Sequence, residues 1–377
     1  MKLETLAVHA GHAIDPSTGA LAPALHLSTT FVRDEALRLP AAYGYVRESN
    51  PTQEQLESAL AALEGGEAAV VFGSGAAAGA AIFQALEPGS RVIFPDDAYY
   101  GYLIAAEDYF ARWGLSHAVV DMADLDALRR ALQPAEPPAP ATVVWLESPS
   151  NPLLKVTDLE AAAAIARAAG ALVVVDNTFA TPVLQRPIEL GADVVLHSAT
   201  KYFGGHSDVQ GGALIFRRRD ALVERIEHGR HVLGAVASPF NSWLVLRGLR
   251  TLPCRMAAQC RTAQAVAEAL AESPAVASVN YPGLESSPGH RLAARQMSAF
   301  GAMLSFHARG GEEAAKRVVG RARLFFRATS LGGVESLIEH RRTSEGASAR
   351  APADLVRLSI GLEHPDDLIA DLRQALT

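Results

Sequence analysis

The chain has 377 residues, with 34 Lys plus Arg against 41 Asp plus Glu, so its net charge is −7. This acidic balance gives no electrostatic footprint for nucleic acid or for an anionic membrane, and we expect neither as a partner. Apolar residues make up 49% and charged residues 20% of the chain, which excludes a disordered protein and, at this length, predicts two or three folded domains.

The cysteine content and the N-terminal sequence predict the cellular compartment of the protein. Cys254 and Cys260 are too few for a disulfide framework in a chain of this size, which fits a reducing compartment. The N-terminus lacks the apolar core of a signal peptide, and the longest apolar stretch, residues 70–83, is shorter than the roughly 20 residues of a membrane span. We therefore predict a cytoplasmic protein.

Helix-like and strand-like segments alternate from about residue 52 onward. Short apolar runs predict strands at 68–72, 91–94, 117–120, 142–146, 172–175, 193–196 and 212–216. Apolar residues at helical spacing predict helices at 53–63, 76–86, 102–113, 125–132 and 159–169. This alternation is typical of strand–helix–strand units, so we predict an α/β fold whose mostly parallel sheet is covered by helices on both faces.

A different pattern follows the last of these strands. It predicts a charged helix at 217–230, a long Ala/Arg-rich helical region to residue 270, strands at 303–306 and 355–360, and helices at 312–319 and 365–376. The proline-rich stretch at 134–140 suits a surface loop. We predict an N-terminal segment, a large α/β domain and a smaller C-terminal α+β domain, over residues 1–50, 51–235 and 236–377.

One lysine is the first candidate for chemistry. The chain has 30 Arg but only four Lys, and an amine, unlike a guanidinium, can lose its proton near neutral pH and condense with a carbonyl. Lys201 follows the apolar run 194–196 and precedes Gly204 and Gly205, and such a strand end is where α/β sheets place ligands. The alternative is a solvated surface lysine.

An acidic residue ends the preceding predicted strand. A carboxylate such as that of Asp176, at the end of a buried strand, needs a cation or a hydrogen-bond donor, although it could instead cap the next helix. Together, Asp176 and Lys201 suggest pyridoxal phosphate, whose chemistry uses a lysine Schiff base and an acid paired with the pyridinium nitrogen.

The sequence also offers a phosphate site. Residues 72–76 read Phe-Gly-Ser-Gly-Ala, a glycine turn between a predicted strand and helix, where backbone N–H groups face an anion. The same turn could bind a dinucleotide, with Asp96 and Asp97 as ribose-binding acids. A nicotinamide-dependent oxidoreductase is therefore the alternative from another class, although Gly79 falls one position late for that fingerprint and Lys201 would have no role.

Seven motifs in one order resemble the cystathionine γ-synthase and cystathionine γ-lyase family, pyridoxal-phosphate enzymes of cysteine and methionine metabolism that act in transsulfuration. They lie at residues 45–52, 147–152, 176–182, 198–202, 205–209, 330–337 and 357–361. The resemblance runs from near Thr5 to the C-terminus. It implies a large transferase domain of the type I aminotransferase kind, with a mostly parallel sheet flanked by helices, and a smaller C-terminal α+β domain.

The resemblance also implies a role for each site residue. Lys201 would form the internal Schiff base and move protons, Asp176 would pair with the ring nitrogen, and Tyr99 would stack on the ring and assist proton transfer. The phosphate would be held by Gly75, Ala76, Ser198 and Thr200, together with Tyr45 and Arg47 from a neighbouring subunit. The carboxylate of a small amino-acid substrate would be held by Asn151, Ser330 and Arg357.

A site shared between subunits implies a homo-oligomer. The family suggests a tetramer built from dimers, to which the arm over residues 1–50 contributes. We expect no metal site, because the histidine pairs His9/His12 and His228/His231 lack a set of carboxylate and histidine ligands nearby.

The resemblance implies γ-elimination or γ-replacement on a sulfur amino acid or an O-acylhomoserine. Synthase and lyase share every residue named above, and methionine γ-lyase and cystathionine β-lyase are alternatives within the family. Gly101 stands where methionine γ-lyases carry Cys, and Thr329 where many cystathionine-binding members carry Glu. The loop at 341–346 reads Arg-Arg-Thr-Ser-Glu-Gly in place of Pro-x-x-Met-Thr-His; its arginines could select an acidic acyl group or be solvated.

Overall fold

The computed structural model describes residues 1–12, 14–133, 139–346 and 349–377, and the strands of this part of the chain form two sheets. The first sheet holds β1 (Ala68–Phe72), β2 (Arg91–Pro95), β3 (Ser116–Val120), β4 (Thr142–Glu147), β5 (Leu172–Asp176), β6 (Val194–His197) and β7 (Gly212–Phe216). The second sheet holds β8 (Val276–Asn280), β9 (Met303–Ala308), β10 (Phe326–Arg327), β11 (Leu337–His340) and β12 (Leu355–Ser359). Most of the loop predicted at 134–140 lies outside the described residues.

The first sheet is mostly parallel, as predicted. Its strand order is β1-β7-β6-β5-β4-β2-β3, and only β7, between β1 and β6, runs antiparallel to its neighbours among the described residues. In the register of the parallel strands, Glu147 of β4 lies beside Asp176 of β5, which lies beside Leu196 of β6. The carboxyl ends of three neighbouring strands therefore meet at one edge of the sheet.

Helices cover both faces of this sheet. Along β4, Val144 and Leu146 belong to one buried apolar cluster while Val143 and Trp145 belong to another, which is the pattern of a strand buried on both sides. The helices are α1 (Leu3–His9), α2 (Pro51–Glu64), α3 (Gly75–Ala85), α4 (Tyr100–Asp108), α5 (Leu125–Ala131), α6 (Leu159–Ala168), α7 (Thr181–Leu184), α8 (Ala221–Leu233), α9 (Pro239–Leu249), α10 (Leu252–Ala271), α11 (His290–Gln296), α12 (Gly311–Arg321), α13 (Arg341–Glu345) and α14 (Pro365–Leu376). None of the described helices is long and apolar enough to cross a bilayer.

Three predicted segments differ in the structure. The helix predicted at 102–113 ends earlier, as α4, and a 3₁₀ turn (Phe110–Trp113) follows it. The long helical region predicted to residue 270 is divided into α9 and α10, because Pro253 in the first turn of α10 cannot continue a helix from before it. The loop predicted at 341–346 is wrong as well, since residues 341–345 form α13.

The second sheet carries Arg357, one of the residues predicted to bind the carboxylate of the substrate. Its order is β10-β11-β12-β9-β8, and the antiparallel pairing of β11 with β12 places Glu339 directly opposite Arg357. The helix α9 packs against α2, and α1 packs against α2 and α10. The domain boundaries at residues 50 and 235, and the role of the arm in a neighbouring subunit, stay predictions.

Candidate active site

Two buried carboxylates lie side by side where β4 and β5 end. Glu147 is 5% and Asp176 6% exposed. The Asp176 Oδ1 accepts a hydrogen bond from the Thr178 N–H at 2.9 Å, and the Glu147 Oε2 accepts one from the Tyr99 N–H at 2.8 Å. Burial raises the pKa of both carboxyls, and the adjacent Asp176 charge raises the pKa of Glu147 further. This pair favours a positively charged or proton-carrying group beside it.

Behind Asp176 lies a buried polar network that the sequence did not predict. The His197 Nε2 is 2.6 Å from the Oε1 of Glu64, and both side chains are at most 1% exposed. The Asn177 amide also donates to the Glu64 Oε1, at 2.9 Å. The charge of His197 lowers the pKa of Asp176, against the larger effect of burial. The network thus ties His197 and Asn177, the residue after Asp176, to α2.

The predicted phosphate site lies at the N-terminus of α3. The Ser74 Oγ accepts from the Ala77 N–H at 3.1 Å, which caps the helix. Gly75 is close to Ser198: a Cβ on Gly75 would lie 2.9 Å from the Ser198 Cβ. The Thr200 hydroxyl bonds the backbone of Gly211, as donor at 3.2 Å and acceptor at 3.1 Å. A helix N-terminus flanked by hydroxyls is a suitable phosphate cradle.

Lys201 reaches from the first sheet toward the second. Its Nζ donates a hydrogen bond to the Ser330 Oγ at 2.6 Å. Burial, with help from the charge of Arg357, lowers the pKa of the Lys201 amine to about 8. The uncharged fraction of the amine near neutral pH is therefore much larger than that of an ordinary lysine, and the uncharged amine is the form that condenses with a carbonyl.

A cavity of about 210 Å³ joins these groups. The predicted phosphate ligands Gly75, Ala76, Ser198 and Thr200 line it. So do Tyr99, Asn151, Asp176 and Lys201. Further lining residues that the sequence analysis missed include Glu147, Thr178, Phe179, Gln210 and Leu331. The signal for Glu147 was present, because it too ends an apolar strand with a carboxylate.

The predicted carboxylate-binding residues come together beside the cavity. The Arg357 Nη1 donates to the Asn151 Oδ1 at 2.9 Å, and its Nη2 donates to the Ser330 carbonyl at 3.0 Å. The Nη2 also pairs with the Glu339 Oε1 at 2.5 Å, a partner that the sequence did not reveal. Arg357 is 3% exposed, and burial lowers the pKa of its guanidinium to about 10. Ser330 has a φ of 89°, which is rare for a residue other than glycine.

Two predicted phosphate ligands do not reach the cavity of their own chain. Tyr45 and Arg47 are exposed, and the Arg47 Cζ lies over the Tyr45 ring, 5.1 Å from its centroid. Their predicted role requires a neighbouring subunit and stays a prediction.

The acids expected to bind a ribose are engaged elsewhere. The Asp96 carboxylate is 2.7 Å from the Lys155 Nζ, and Asp97 accepts from the Ser150 hydroxyl and from the Leu153 N–H. Neither lines the cavity at the glycine turn, so they lend no support to the nicotinamide-dependent alternative. Within the described ranges, no cluster of three His, Cys, Asp or Glu side chains is arranged to hold a metal ion.

Comparison with known proteins identifies the family of this chain. The model of the Cys/Met metabolism PLP-dependent enzyme family matches residues 4–377. A cystathionine gamma-synthase of Mycobacterium tuberculosis is 47% identical over 378 residues, 99% of this chain and 96% of the relative. A cystathionine beta-lyase of Lactococcus lactis is 42% identical over 382 residues, 99% and 98% of the two chains. The crystal structure of metB from Corynebacterium glutamicum has a TM-score of 0.95 and 41% identity, covering 100% of this chain and 98% of that one.

The described residues fit the cofactor of this family. The cradle beside Gly75 excludes even a Cβ, as close approach of a phosphate to backbone amides requires. The paired carboxylates of Glu147 and Asp176 suit a protonated ring nitrogen, and the buried Lys201 suits an aldehyde. The chain belongs to the pyridoxal-phosphate-dependent enzymes of cysteine and methionine metabolism, and its cofactor is pyridoxal 5′-phosphate.

Proposed function

We propose that the enzyme performs γ-elimination or γ-replacement on a sulfur amino acid or an O-acylhomoserine, as a cystathionine γ-synthase or γ-lyase does. The observation that carries the proposal is the contact of the Lys201 amine with Ser330, whose carbonyl accepts from Arg357. This contact supports the proposal because it brings the amine near the guanidinium that would bind an amino-acid carboxylate. The 47% identical relative named cystathionine gamma-synthase supports the same class of reaction. The expected cytoplasmic location stays a prediction.

Pyridoxal phosphate supplies an electron sink for the charge left on a substrate carbon when a proton departs. Asp176 would hold a proton at the ring nitrogen, and the charge of His197, which pairs with Glu64, acts on this carboxyl. Lys201 would be the amine that carries the cofactor. Because its pKa is lowered to about 8, its Nζ is suited both to take and to return protons at the substrate Cα and Cβ.

Tyr99 is the proposed proton donor to the leaving group. Its backbone N–H is held by Glu147, and its ring lies edge-on to Tyr102 with centroids 5.1 Å apart. Burial raises the pKa of the Tyr99 phenol, so that it stays protonated at neutral pH and can give its proton. Arg357 and Asn151 orient the substrate through its carboxylate.

Gly101, in place of the cysteine that the resemblance associates with methionine γ-lyases, disfavours the methionine γ-lyase alternative. A Cβ at this position would lie 2.5 Å from the Cε1 and 2.7 Å from the hydroxyl of Tyr99. A cysteine at this position would therefore require the ring of Tyr99 to move.

Product analysis tests the reaction. We expect 2-oxobutanoate to be released from cystathionine or from an O-acylhomoserine, and cystathionine to form instead when cysteine is added to the O-acylhomoserine. Pyruvate released from cystathionine without 2-oxobutanoate would identify a β-lyase. Methionine as the best source of 2-oxobutanoate would identify a methionine γ-lyase.

We also propose a homo-oligomer, a tetramer built from dimers that share active sites. The arm carries exposed apolar residues, among them Val32 at 83% and Leu37 at 74% exposure, which supports its packing on another subunit. Subunits carrying Arg47→Ala, mixed and reassembled with subunits carrying Lys201→Ala, should recover about a quarter of wild-type activity if pairing in the dimer is random. Recovery no greater than the activity of the two parents would contradict shared sites.

A further inference from the structure

Four buried side chains of alternating charge lie behind the carboxylate site. In order of contact they are Arg357, Glu339, Arg341 and Glu345, and we call them the charge cluster. The Glu339 Oε1 is 2.5 Å from the Arg357 Nη2 and 3.2 Å from the Arg341 Nη1, and the Arg341 Nε is 3.0 Å from the Glu345 Oε1. Each of these side chains is at most 6% exposed.

Glu339 poses a problem for the proposed function. It places a carboxylate against the same guanidinium that the proposal gives to the carboxylate of the substrate. A fully charged Glu339 would compete for Arg357 and repel the incoming carboxylate, since both are in a buried region where charges are weakly screened.

Arg341 provides a second positive charge beside Glu339. It contacts the same Glu339 oxygen that Arg357 contacts, while the Ser344 hydroxyl donates to the other oxygen at 3.0 Å. The charge of Glu339 is thus shared between two arginines. Resting on the proposed function, we propose that Arg341 is a positioning residue: by neutralising Glu339 it leaves Arg357 free to bind the α-carboxylate of the substrate.

Arg341 is itself firmly placed. Its Cζ lies 5.5 Å from the centroid of the Tyr100 ring, and Glu345 pairs with its Nε. The second Glu345 oxygen accepts from the N–H groups of Arg350 and Ala351 at 2.8 and 2.9 Å. A buried side chain held on both sides by carboxylates is not a solvated loop residue. Its neighbour Arg342 is exposed.

The test compares two ligands of the holoenzyme that differ only in a carboxylate. L-2-Aminobutyrate has the α-carboxylate but no γ-leaving group, and propylamine is the same amine without the carboxylate. Dissociation constants are obtained from the change in the absorption spectrum of the cofactor. Arg341→Met should raise the dissociation constant of L-2-aminobutyrate about tenfold or more and change that of propylamine by no more than about twofold. Arg342→Met, the matched control, should change neither.

The charge argument also predicts a rescue. Glu339→Gln added to Arg341→Met removes the competing carboxylate and should bring the affinity for L-2-aminobutyrate back to within about threefold of wild type. Glu339→Gln alone should strengthen L-2-aminobutyrate binding, and this single variant tests the charge argument even where Arg341→Met fails to fold.

Two outcomes would overturn the inference about Arg341 without affecting the proposed function. These are equal weakening of both ligands by Arg341→Met, and weaker L-2-aminobutyrate binding after Glu339→Gln. A wild-type holoenzyme whose spectrum does not respond to L-2-aminobutyrate would overturn the proposed function and this inference together.

Discussion

Lys201 and Ser330 are 129 residues apart in the chain, and the Nζ of one lies 2.6 Å from the Oγ of the other. The contact joins the loop after β6 to the segment before β11, where the Ser330 carbonyl accepts from Arg357. The cofactor end and the carboxylate end of the site therefore meet at one residue, and a shift of either sheet would separate them.

Burial of the Lys201 amine makes the cofactor-free protein less stable below about pH 8. The folded-state pKa of about 8 is lower than the ordinary 10.5, so the charged amine destabilises the folded state at neutral pH, and this penalty disappears as pH rises from 8 to 10.5. In the cofactor-free protein, Lys201→Met should increase the free energy of unfolding at pH 7 by about 1–3 kcal/mol, less than the full pKa effect because the bond to Ser330 is lost.

Urea unfolding of both proteins at pH 7 and pH 10 measures this difference. The gain from Lys201→Met should shrink toward zero or change sign at the higher pH. An advantage of the variant that is the same at both pH values would contradict the lowered pKa.

Arg357→Lys tests the two-pronged carboxylate contact. A lysine keeps the positive charge but cannot contact Asn151, Ser330 and Glu339 at once with fixed geometry, so KM for the amino-acid substrate should rise about 10- to 100-fold. Steady-state kinetics should show kcat changed much less than KM. A lowered kcat with KM unchanged would mean that Arg357 has another role.

In the cofactor-free protein, Glu147 should act as a protonated acceptor for the Tyr99 N–H. Because burial and Asp176 raise its pKa well above the ordinary value, Glu147→Gln keeps the acceptor and should change stability at pH 5 by no more than about 0.5 kcal/mol. Glu147→Ala leaves the N–H unpaired and should destabilise the protein by about 1–3 kcal/mol. As pH rises above 4.5, the Gln variant should gain stability relative to wild type. A Gln variant as unstable as the Ala variant would contradict protonation.

Gly75→Ala should weaken cofactor binding without unfolding the chain. The new Cβ would lie 2.9 Å from the Ser198 Cβ and 3.0 Å from its Oγ, inside the phosphate cradle, so we expect the dissociation constant of pyridoxal phosphate to rise about tenfold or more. Gly229→Ala is the control: its Cβ would meet nothing within 4 Å in α8, and it should stabilise the protein by about 0.5–1 kcal/mol. Unchanged cofactor affinity in Gly75→Ala would place the phosphate elsewhere.

The parallel strands were predictable because each is a short apolar run that a polar residue ends. In β5 the run 172–175 leads directly to Asp176, and in β6 the run 194–196 leads through His197 to the segment carrying Lys201. Since strand ends of a parallel sheet meet at one edge, local pattern alone was enough to bring Asp176 and Lys201 together.

The charge cluster was not predictable, because its contacts depend on pairing between strands that are distant in sequence. Glu339 meets Arg357 only through the register of β11 with β12. Nothing local marks Glu339 as buried, and Arg341 follows it in a stretch whose polar composition favours an exposed loop. The ion pair of Arg341 with Glu345, four residues apart, stabilises α13 instead.

Reduction of the holoenzyme with borohydride, followed by peptide mass mapping, tests the central claim most directly, because it fixes the cofactor to the amine that carries it. We predict a pyridoxyl adduct on Lys201 and none on Lys2, Lys155 or Lys316. An adduct on one of those three lysines, or no adduct on a protein saturated with the cofactor, would contradict the assignment of Lys201.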